Sequence, residues 1–594
     1  MKNAYRSVIL LLLAGSITFM SCTRQPQQSS TAPQESAAPE SGADQPAQPV
    51  SVNEAIIPPQ FSAEGGFYAD AVSLTLTAES GTEIYYTLDG SAPTTQSLRY
   101  TEPIPLVNRT GEKNILSAHT EIAPEGSYTQ RVAAPDAPVD KAAVVRAIAV
   151  NEQGEQSLAS AQTYFIGLDE KYRNGTVVSL LTDESSLFDY DTGIYVLGKT
   201  YNEWKNSADY DAETPPWRTP ANYTQKGKEW ERPASVQIFA DGKPVLTQDA
   251  GIRIHGGATR SYAQKSLNVY ARRDYGASKL EYDLFGGKVT AEYSGEPVTV
   301  FDSFILRNGG NDAQYTRFRD KLNQSLVSGR HFLTQGMTPC TVFIDGEYWG
   351  QYEITEKLDA AFIRAHYGIP KKQVCIVKKE ALDAGSEACF AQWEQLRAEI
   401  QKADLSDPDA YADICAQIDM QGFMEYISSE IYMNNANWGA SNSAMWKAEL
   451  PDPENPYADG KWRFIMFDTE YSTGIYGEAQ PREDTFAKLL DSGCFLGALF
   501  SAALKNETFR QDFTRTFREI AEQDFDAARV DAEITALAEA YRQPAVDTYN
   551  RFWCTGPGGR RAEQNFDAEV QKLRRFYEKR GAYILEYLEK HCGE

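Results

Sequence analysis

The sequence predicts two folded units of different class: a small all-β sandwich, then a larger α+β body that begins sheet-rich and ends helical. Three observations carry this reading. Between Phe61 and Gly167, apolar residues alternate with polar ones and turns are frequent. From Thr176, short strand-like runs are separated by Gly, Asp-Gly or Asn-rich turns, and after Leu489 helical periodicity dominates. Forty-two per cent apolar residues, with 12% aromatics, are ample for packed cores and exclude wholesale disorder. At roughly 100–200 residues per domain, 594 residues predict three or four structural units.

The first unit, residues 1–22, is read as a targeting segment rather than structure. Lys2 and Arg6 precede Val8–Met20, an apolar run of secretory-signal length that is short for a membrane span. It ends in Phe19-Met20-Ser21-Cys22, which resembles a bacterial lipobox. That resemblance implies cleavage before Cys22, a diacylglycerol on its thiol, and a membrane-anchored lipoprotein on the extracytoplasmic face. Residues 23–59 are rich in Gln, Ser, Ala and Pro; such a composition forms no core and suits a disordered tether. Cys340, Cys375, Cys389, Cys415, Cys494, Cys554 and Cys592 remain, an odd number without CxxC spacing, so neither a regular disulfide framework nor a zinc ribbon is indicated. One or two bridges and buried free thiols stay equally open.

The sandwich occupies residues 60–168. Val72-Ser-Leu-Thr-Leu has apolar residues at every second position, and Ile84-Tyr-Tyr-Thr-Leu runs into an Asp89-Gly90 turn. The YYTLDGSAPT run, Tyr100 with Pro103-Ile104, and the VVRAIAV strand resemble the small β-sandwich at the C-terminal end of chitobiases and β-hexosaminidases. The resemblance implies an immunoglobulin-like fold and no chemistry. A spacer packed beside the next domain is the favoured role, with glycan contact as the alternative.

The body, residues 174–594, has strand-like runs at Val177–Leu181, Ala234–Phe239, Gly251–His255, Ser266–Tyr270, Asp302–Leu306 and Cys340–Ile344. Asp345-Gly346 reads as the turn of a hairpin whose second strand is Tyr348–Ile354. Helical periodicity covers Thr316–Leu326, Leu358–Tyr367, Glu387–Lys402 and Met420–Asn434, and Trp462–Phe467 reads as one short strand interrupting the helices. A sheet-rich lobe to about residue 380 and a helical lobe and extension after it follow from this order.

The formal charge is −25, from 83 acidic and 58 basic side chains, which argues against nucleic acid as the main partner. Five histidines lie far apart with no metal-binding spacing. Chemistry concentrates instead in four polar clusters. In the first, Gly256 and Gly257 let backbone N–H groups approach an anion, with Arg260 and Lys265 as cations beside them. The second places Arg307, Asn308, Asn311, Arg319 and Asp320 together before a helix. The third puts Glu356 and Lys357 at a strand-to-helix junction, where a Glu pairs with a phosphate-binding lysine in kinases. In the fourth, Asn437 and Asn442 precede a strand that delivers Asp468 at its end, and such oxygen ligands suit Mg²⁺. Asn437 and Asn442 have the spacing of a kinase catalytic loop.

Five ordered runs, GIRIHGGATRSYAQKSLNVYARRDYG, ILRNGGNDAQYTRFRD, VFIDGEYWGQYEITEKLDAAFIRAHYGI, YMNNANWGASN and KWRFIMFDTEY, resemble the CotH kinase family known from spore-coat proteins. The resemblance implies an atypical protein-kinase-like fold and phosphorylation of protein hydroxyls using ATP and a divalent metal, Mg²⁺ or Mn²⁺. Carried over by position, Lys265 is the ATP-phosphate lysine, Glu356 its partner, and Gly256, Gly257 and Arg260 line the phosphates. Asn442, Asp468 and Glu470 take the metal positions. Asn437 departs from the pattern, standing where an Asp acts as base, and a neutral amide gains no stabilised charge by taking that proton. An active but weakened kinase and a pseudokinase serving as a surface-binding lipoprotein are the two readings, with an unidentified protein as the substrate of the first.

Overall fold

The structure is a computed structural model that describes residues 52–124, 133–553 and 561–593, and these belong to one compact unit. Cys22, Cys554 and the tether up to Ser51 fall outside the described residues.

The sandwich contains a five-stranded sheet: β1 (Gly66–Tyr68) beside β7 (Ser160–Ile166), then β6 (Ala143–Asn151), β3 (Thr82–Thr87) and β4 (Leu98–Arg99). Facing it, β2 (Val72–Leu74) pairs antiparallel with β5 (Ile104–Leu106). Leu74, Ile104, Val145, Tyr164 and Ile166 fill the space between, as alternation predicts. The module is fused to the body by a shared apolar cluster in which Phe165 meets Phe239 and Phe343 edge-on, at 5.2 and 5.1 Å between centroids.

The sheet-rich lobe is a closed barrel, which the sequence reading did not foresee. In chain order its strands are β8 (Thr176–Leu181), β9 (Arg232–Ala240), β10 (Lys243–Ile254), β11 (Leu267–Tyr270), β12 (Ser303–Arg307), β13 (Met337–Ile344) and β14 (Glu347–Glu356). Around the wall they run β8-β9-β10-β11-β12-β14-β13, and a parallel pairing of β8 with β13, Val178 opposite Val342, closes the ring. Closure leaves no free edge and packs the interior with side chains such as Val236, Ile252, Leu306 and Tyr352. Asp345 and Gly346 take left-handed φ values of 47° and 84°, forming the predicted hairpin turn between β13 and β14.

Beyond the barrel, β15 (Val374–Lys378), β16 (Ala381–Ala384), β17 (Ala444–Ala448) and β18 (Arg463–Ile465) make a four-stranded antiparallel sheet in the order β16-β15-β17-β18. The strand expected at Trp462–Phe467 is therefore not a lone interruption but the edge of this sheet. Its helices start where side chains cap them. Asp359 accepts the N–H groups of Ala361 and Phe362 ahead of α2 (Ala360–Tyr367), and Ser386 does so for Cys389 in α3 (Glu387–Ile400). Between barrel and sheet lies α1 (Arg319–Leu326), and α4 (Met420–Met433) is buried along almost its whole length.

The C-terminal helices α5 (Glu507–Gln523), α6 (Ala527–Phe552) and α7 (Ala562–Cys592) pack into the main core by Phe509, Phe513, Phe517, Leu573, Phe576 and Ile584. Helix α6 also braces the barrel: Thr548 Oγ1 accepts the N–H of Gln351 at 2.7 Å, and Tyr541 donates to Glu353 at 2.6 Å. Among the described residues, no helix is long and apolar enough to cross a membrane.

Candidate functional site

Three carboxylates from distant parts of the chain meet where the barrel faces the second sheet. Strand β18 ends at Ile465, and the chain turns at Asp468, whose φ is 56°. This left-handed turn sends Asp468 toward solvent, with 42% of its side chain exposed, and tucks Glu470 inward at 5%. Asp320, in the first turn of α1, accepts the Thr469 N–H at 2.9 Å and the Thr469 hydroxyl at 2.7 Å, which fastens the helix start to the turn. One carboxylate oxygen each from Asp320, Asp468 and Glu470 lies within 4.8 Å of the others.

Arg307, the last residue of β12, holds the three together. Its Nη1 donates to Asp320, its Nη2 donates to Asp468 Oδ1 at 2.6 Å and lies 2.8 Å from Glu470 Oε2. The last contact is an ion pair without a well-aligned hydrogen bond. Fully ionised, three carboxylates and one guanidinium leave two net negative charges. Burial pushes the Glu470 carboxyl up to about 7, against the pull of Arg307. Its other oxygen accepts the N–H of Asn311 at 3.2 Å. Gly310 makes that approach feasible: a Cβ there would stand 2.2 Å from Glu470 Oε1, and its φ of 58° is one that L side chains rarely adopt.

The polar loop after α4 docks on the same turn, because the N–H of Ala436 donates to the carbonyl of Tyr471 at 2.8 Å. Asn437 follows immediately, its N–H held by Asn435 Oδ1 at 3.1 Å. Asn442 is buried two residues before Ala444, which pairs with Ile465, so the register sets Asn442 beside the Phe467–Asp468 turn. The sequence-predicted Asp468 and Glu470 thus come together, Asn437 and Asn442 lie alongside, and Asp320 is the third carboxylate that the metal assignment lacked.

The predicted phosphate-binding group is not assembled. Lys265 is fully buried, and its ammonium donates to the carbonyls of Arg260 (2.7 Å) and Tyr262 (2.8 Å) and lies 3.8 Å from the Tyr223 ring centroid. Burial, reinforced by Arg260, holds its pKa well below the ordinary lysine value. Glu356 does not pair with Lys265; it accepts from Gly336 N–H at 2.9 Å and faces the His366 Nε2 at 2.9 Å. Arg260 spends its guanidinium on the carbonyls of Gly256 (2.6 Å), Tyr223 (2.9 Å) and Gln225 (3.2 Å). These residues pin the β10–β11 connection to the 222–225 turn. Of that first cluster only Gly257 is exposed, and a Cβ there would meet nothing within 4 Å.

A different lysine faces the acidic group. Lys378 ends β15, packs its ammonium 4.3 Å from the Phe467 ring centroid, and has its pKa lowered by burial against the opposing pull of Asp468. Asp468 and Asp383 are the leading charges that act on it, opposed by Lys379 and Lys357. The His255 imidazole is driven down to about 3, first by burial and then by Arg307, Lys378, Arg260 and Lys357. The sequence signal existed, an apolar run Val374-Cys-Ile-Val ending in Lys378-Lys379, but nothing in it distinguished Lys378 from the chain's other lysines. A cavity of about 940 Å³, lined by Tyr282, Phe285, Lys321 and Tyr541 among others, includes none of the three carboxylates.

A sheet-rich lobe followed by a helical one is the order expected of a kinase-like body. The family comparison agrees, since the model of the CotH kinase protein family matches residues 252–584, more than half of the chain. The chain belongs to the CotH kinase protein family. That match spans every residue of the carboxylate group and Lys378. A second model, Fn3 associated, matches residues 72–164, within the sandwich fused to the CotH body. No curated protein matches the chain.

Proposed function

We propose that this CotH-family chain is a membrane-anchored atypical kinase that transfers a phosphoryl group from ATP to a protein hydroxyl with the help of Mg²⁺ or Mn²⁺. The observation that carries the reading is the juxtaposition of Asp320, Asp468 and Glu470 with the lysine Lys378. The donor set fits a hard divalent cation: all its atoms are oxygens, two net negative charges match the ion, and the exposed Asp468 leaves room for phosphate and water ligands. Asp468, with Glu470 and Asn442 behind it, would hold the ion, which when bound neutralises phosphate charge. Asp320 acts one step back, orienting the turn through Thr469.

The chain's own groups supply the rest. Lys378 offers a point charge to a phosphate oxygen, and the connection at exposed Gly257 brings backbone within reach of one. Arg307 fixes the carboxylates so that the site is organised before substrate arrives. Phosphoryl transfer depends mainly on such positioning and electrostatics, so it tolerates a weak base better than most reactions. Asn437 favours a second reading, in which the fold binds nucleotide or a surface partner without turnover, because its amide takes no proton near neutral pH.

Isothermal titration of the described body with ATP, with and without Mg²⁺ or Mn²⁺, tests the first step. Metal-dependent binding abolished by Asp468→Asn is expected, and no binding by the wild type with either metal would sink the nucleotide reading. Given binding, phosphate transfer to a generic protein acceptor separates kinase from pseudokinase. The address follows from Cys22: the wild type should incorporate labelled fatty acid and sediment with membranes, and Cys22→Ala should do neither. The sandwich is proposed as a spacer, with a glycan contact to be sought by carbohydrate pull-down.

A further inference from the structure

We propose that Cys375 and Cys389 form a redox-controlled disulfide that staples β15, the strand ending in Lys378, to the start of α3. The two Sγ atoms lie within 4.8 Å of one another. Both residues are buried, at 0% and 3% exposure, so the pairing is built into the core rather than left to surface encounter. The surrounding chain holds them there. Ser386 caps α3 and accepts the N–H of Cys389 at 3.1 Å, and both carboxylate oxygens of Glu449 clamp Ser386, at 2.6 Å to its N–H and 2.8 Å to its hydroxyl. Gly385, at φ 107°, passes so close that a Cβ there would lie 2.7 Å from the Cα of Cys375.

The environment also selects the attacking thiol. Cys389 is in the first turn of a 14-residue helix, where unpaired N–H groups favour a thiolate. Lys447 is opposite Cys375 in the sheet, and the hydrogen bond from Cys375, then Lys447, lower the Cys389 pKa. Closure is an ordinary exchange with a disulfide-bearing oxidant. The Cys389 thiolate attacks a sulfur of the oxidant, forming a mixed disulfide and releasing one thiolate. Cys375, losing its proton, then attacks the Cys389 sulfur, and the second half of the oxidant leaves. The chain has given up two electrons and two protons, and the oxidant is reduced to two thiols. Glu449 completes a three-residue group at metal-binding distance, but its oxygens are engaged by Ser386, which leaves two sulfurs where a structural zinc site needs four ligands.

The test uses the whole chain, unfolded in reductant, refolded across ratios of reduced to oxidised glutathione, acid-quenched, and alkylated under denaturing conditions. Peptide mapping should show the Cys375–Cys389 crosslinked peptide growing with the oxidised fraction. Reductant should lower the wild-type Tm by a few degrees, as expected for a bridge closing roughly 15 residues. The Cys375→Ser/Cys389→Ser pair should show no such response. Alkylation of both thiols at every glutathione ratio would overturn the proposal, as would stoichiometric zinc that protects both thiols. Should the double variant fail to fold, the mapping alone decides.

Discussion

The carboxylate group and the Lys265 pocket both gather charge beside the barrel, yet they differ in how far that charge is already satisfied. Lys265 has two carbonyl acceptors and an aromatic face, and lies wholly inside the protein. Its interactions are local and complete, which is what a structural pin requires. At the carboxylate group Arg307 faces three acids, Asp468 is 42% exposed, and Lys378 is nearby with its charge only partly offset. Leftover charge that reaches solvent can be answered by a ligand; charge that is answered internally cannot. The comparison predicts that substitutions at the two places will separate stability from binding.

The largest effect is expected at Arg307, which belongs to the site and to its frame. Arg307→Ala leaves buried Asp320 and Glu470 facing each other without a counter-ion, and removing one partner of a buried ion pair costs about 3–5 kcal/mol. Urea unfolding should register that loss, and divalent metal should restore part of it. Lys265→Ala comes next, at roughly 2–4 kcal/mol, since it opens a cavity and strands two carbonyls. The folded fraction should bind Mg·ATP as the wild type does. A large loss of nucleotide affinity at unchanged stability would return Lys265 to the site and break the comparison. Lys378→Ala should do the opposite, weakening Mg·ATP binding about 10- to 100-fold, or roughly 1.4–2.7 kcal/mol, with Tm nearly unchanged.

What the sequence disclosed follows the same division. Asp468 and Glu470 were grouped because they stand two residues apart after one apolar strand, and the Asp345-Gly346 hairpin was legible because two positive φ values demand such residues. Arg307 and Asp320 were grouped by proximity along the chain, but no local pattern could reveal that Arg307 bridges to a turn some 160 residues away. Lys265 was misplaced for a physical reason. In a half-buried strand, period-two alternation tells which side chains face inward, but all four residues of β11 are buried, and the flanking Lys265 is buried with them. Barrel closure was invisible because it rests on β8 pairing with β13, strands separated by more than 150 residues. The strands β15, β16 and β17 were missed because they are short and lie among segments whose helical periodicity dominates the pattern.

Glu430 tests the comparison most finely, because it stands between the two cases. It lies on α4, fully buried, with Oε2 accepting Asn435 Nδ2 at 3.0 Å and Oε1 without a hydrogen-bond partner among the described residues. Burial, added to by Asp320, pushes its carboxyl up to about 8. The folded state therefore keeps a proton that the unfolded chain releases near 4.5. This contribution to stability is complete below the unfolded value and is lost as pH rises through about 8, at roughly 1.4 kcal/mol per pH unit in between. Glu430→Gln keeps an acceptor for Asn435 and removes the titration, so its urea midpoint should gain on the wild type as pH is raised from 5.5 to 8.5. Parallel pH curves for the two proteins would mean that Glu430 is already ionised in the fold, its charge answered like that of Lys265. A widening gap would mean that Glu430 holds the Asn435–Asn437 loop as a neutral acid, and that the charge left over at this end of the lobe belongs to Asp320, Asp468 and Glu470 alone.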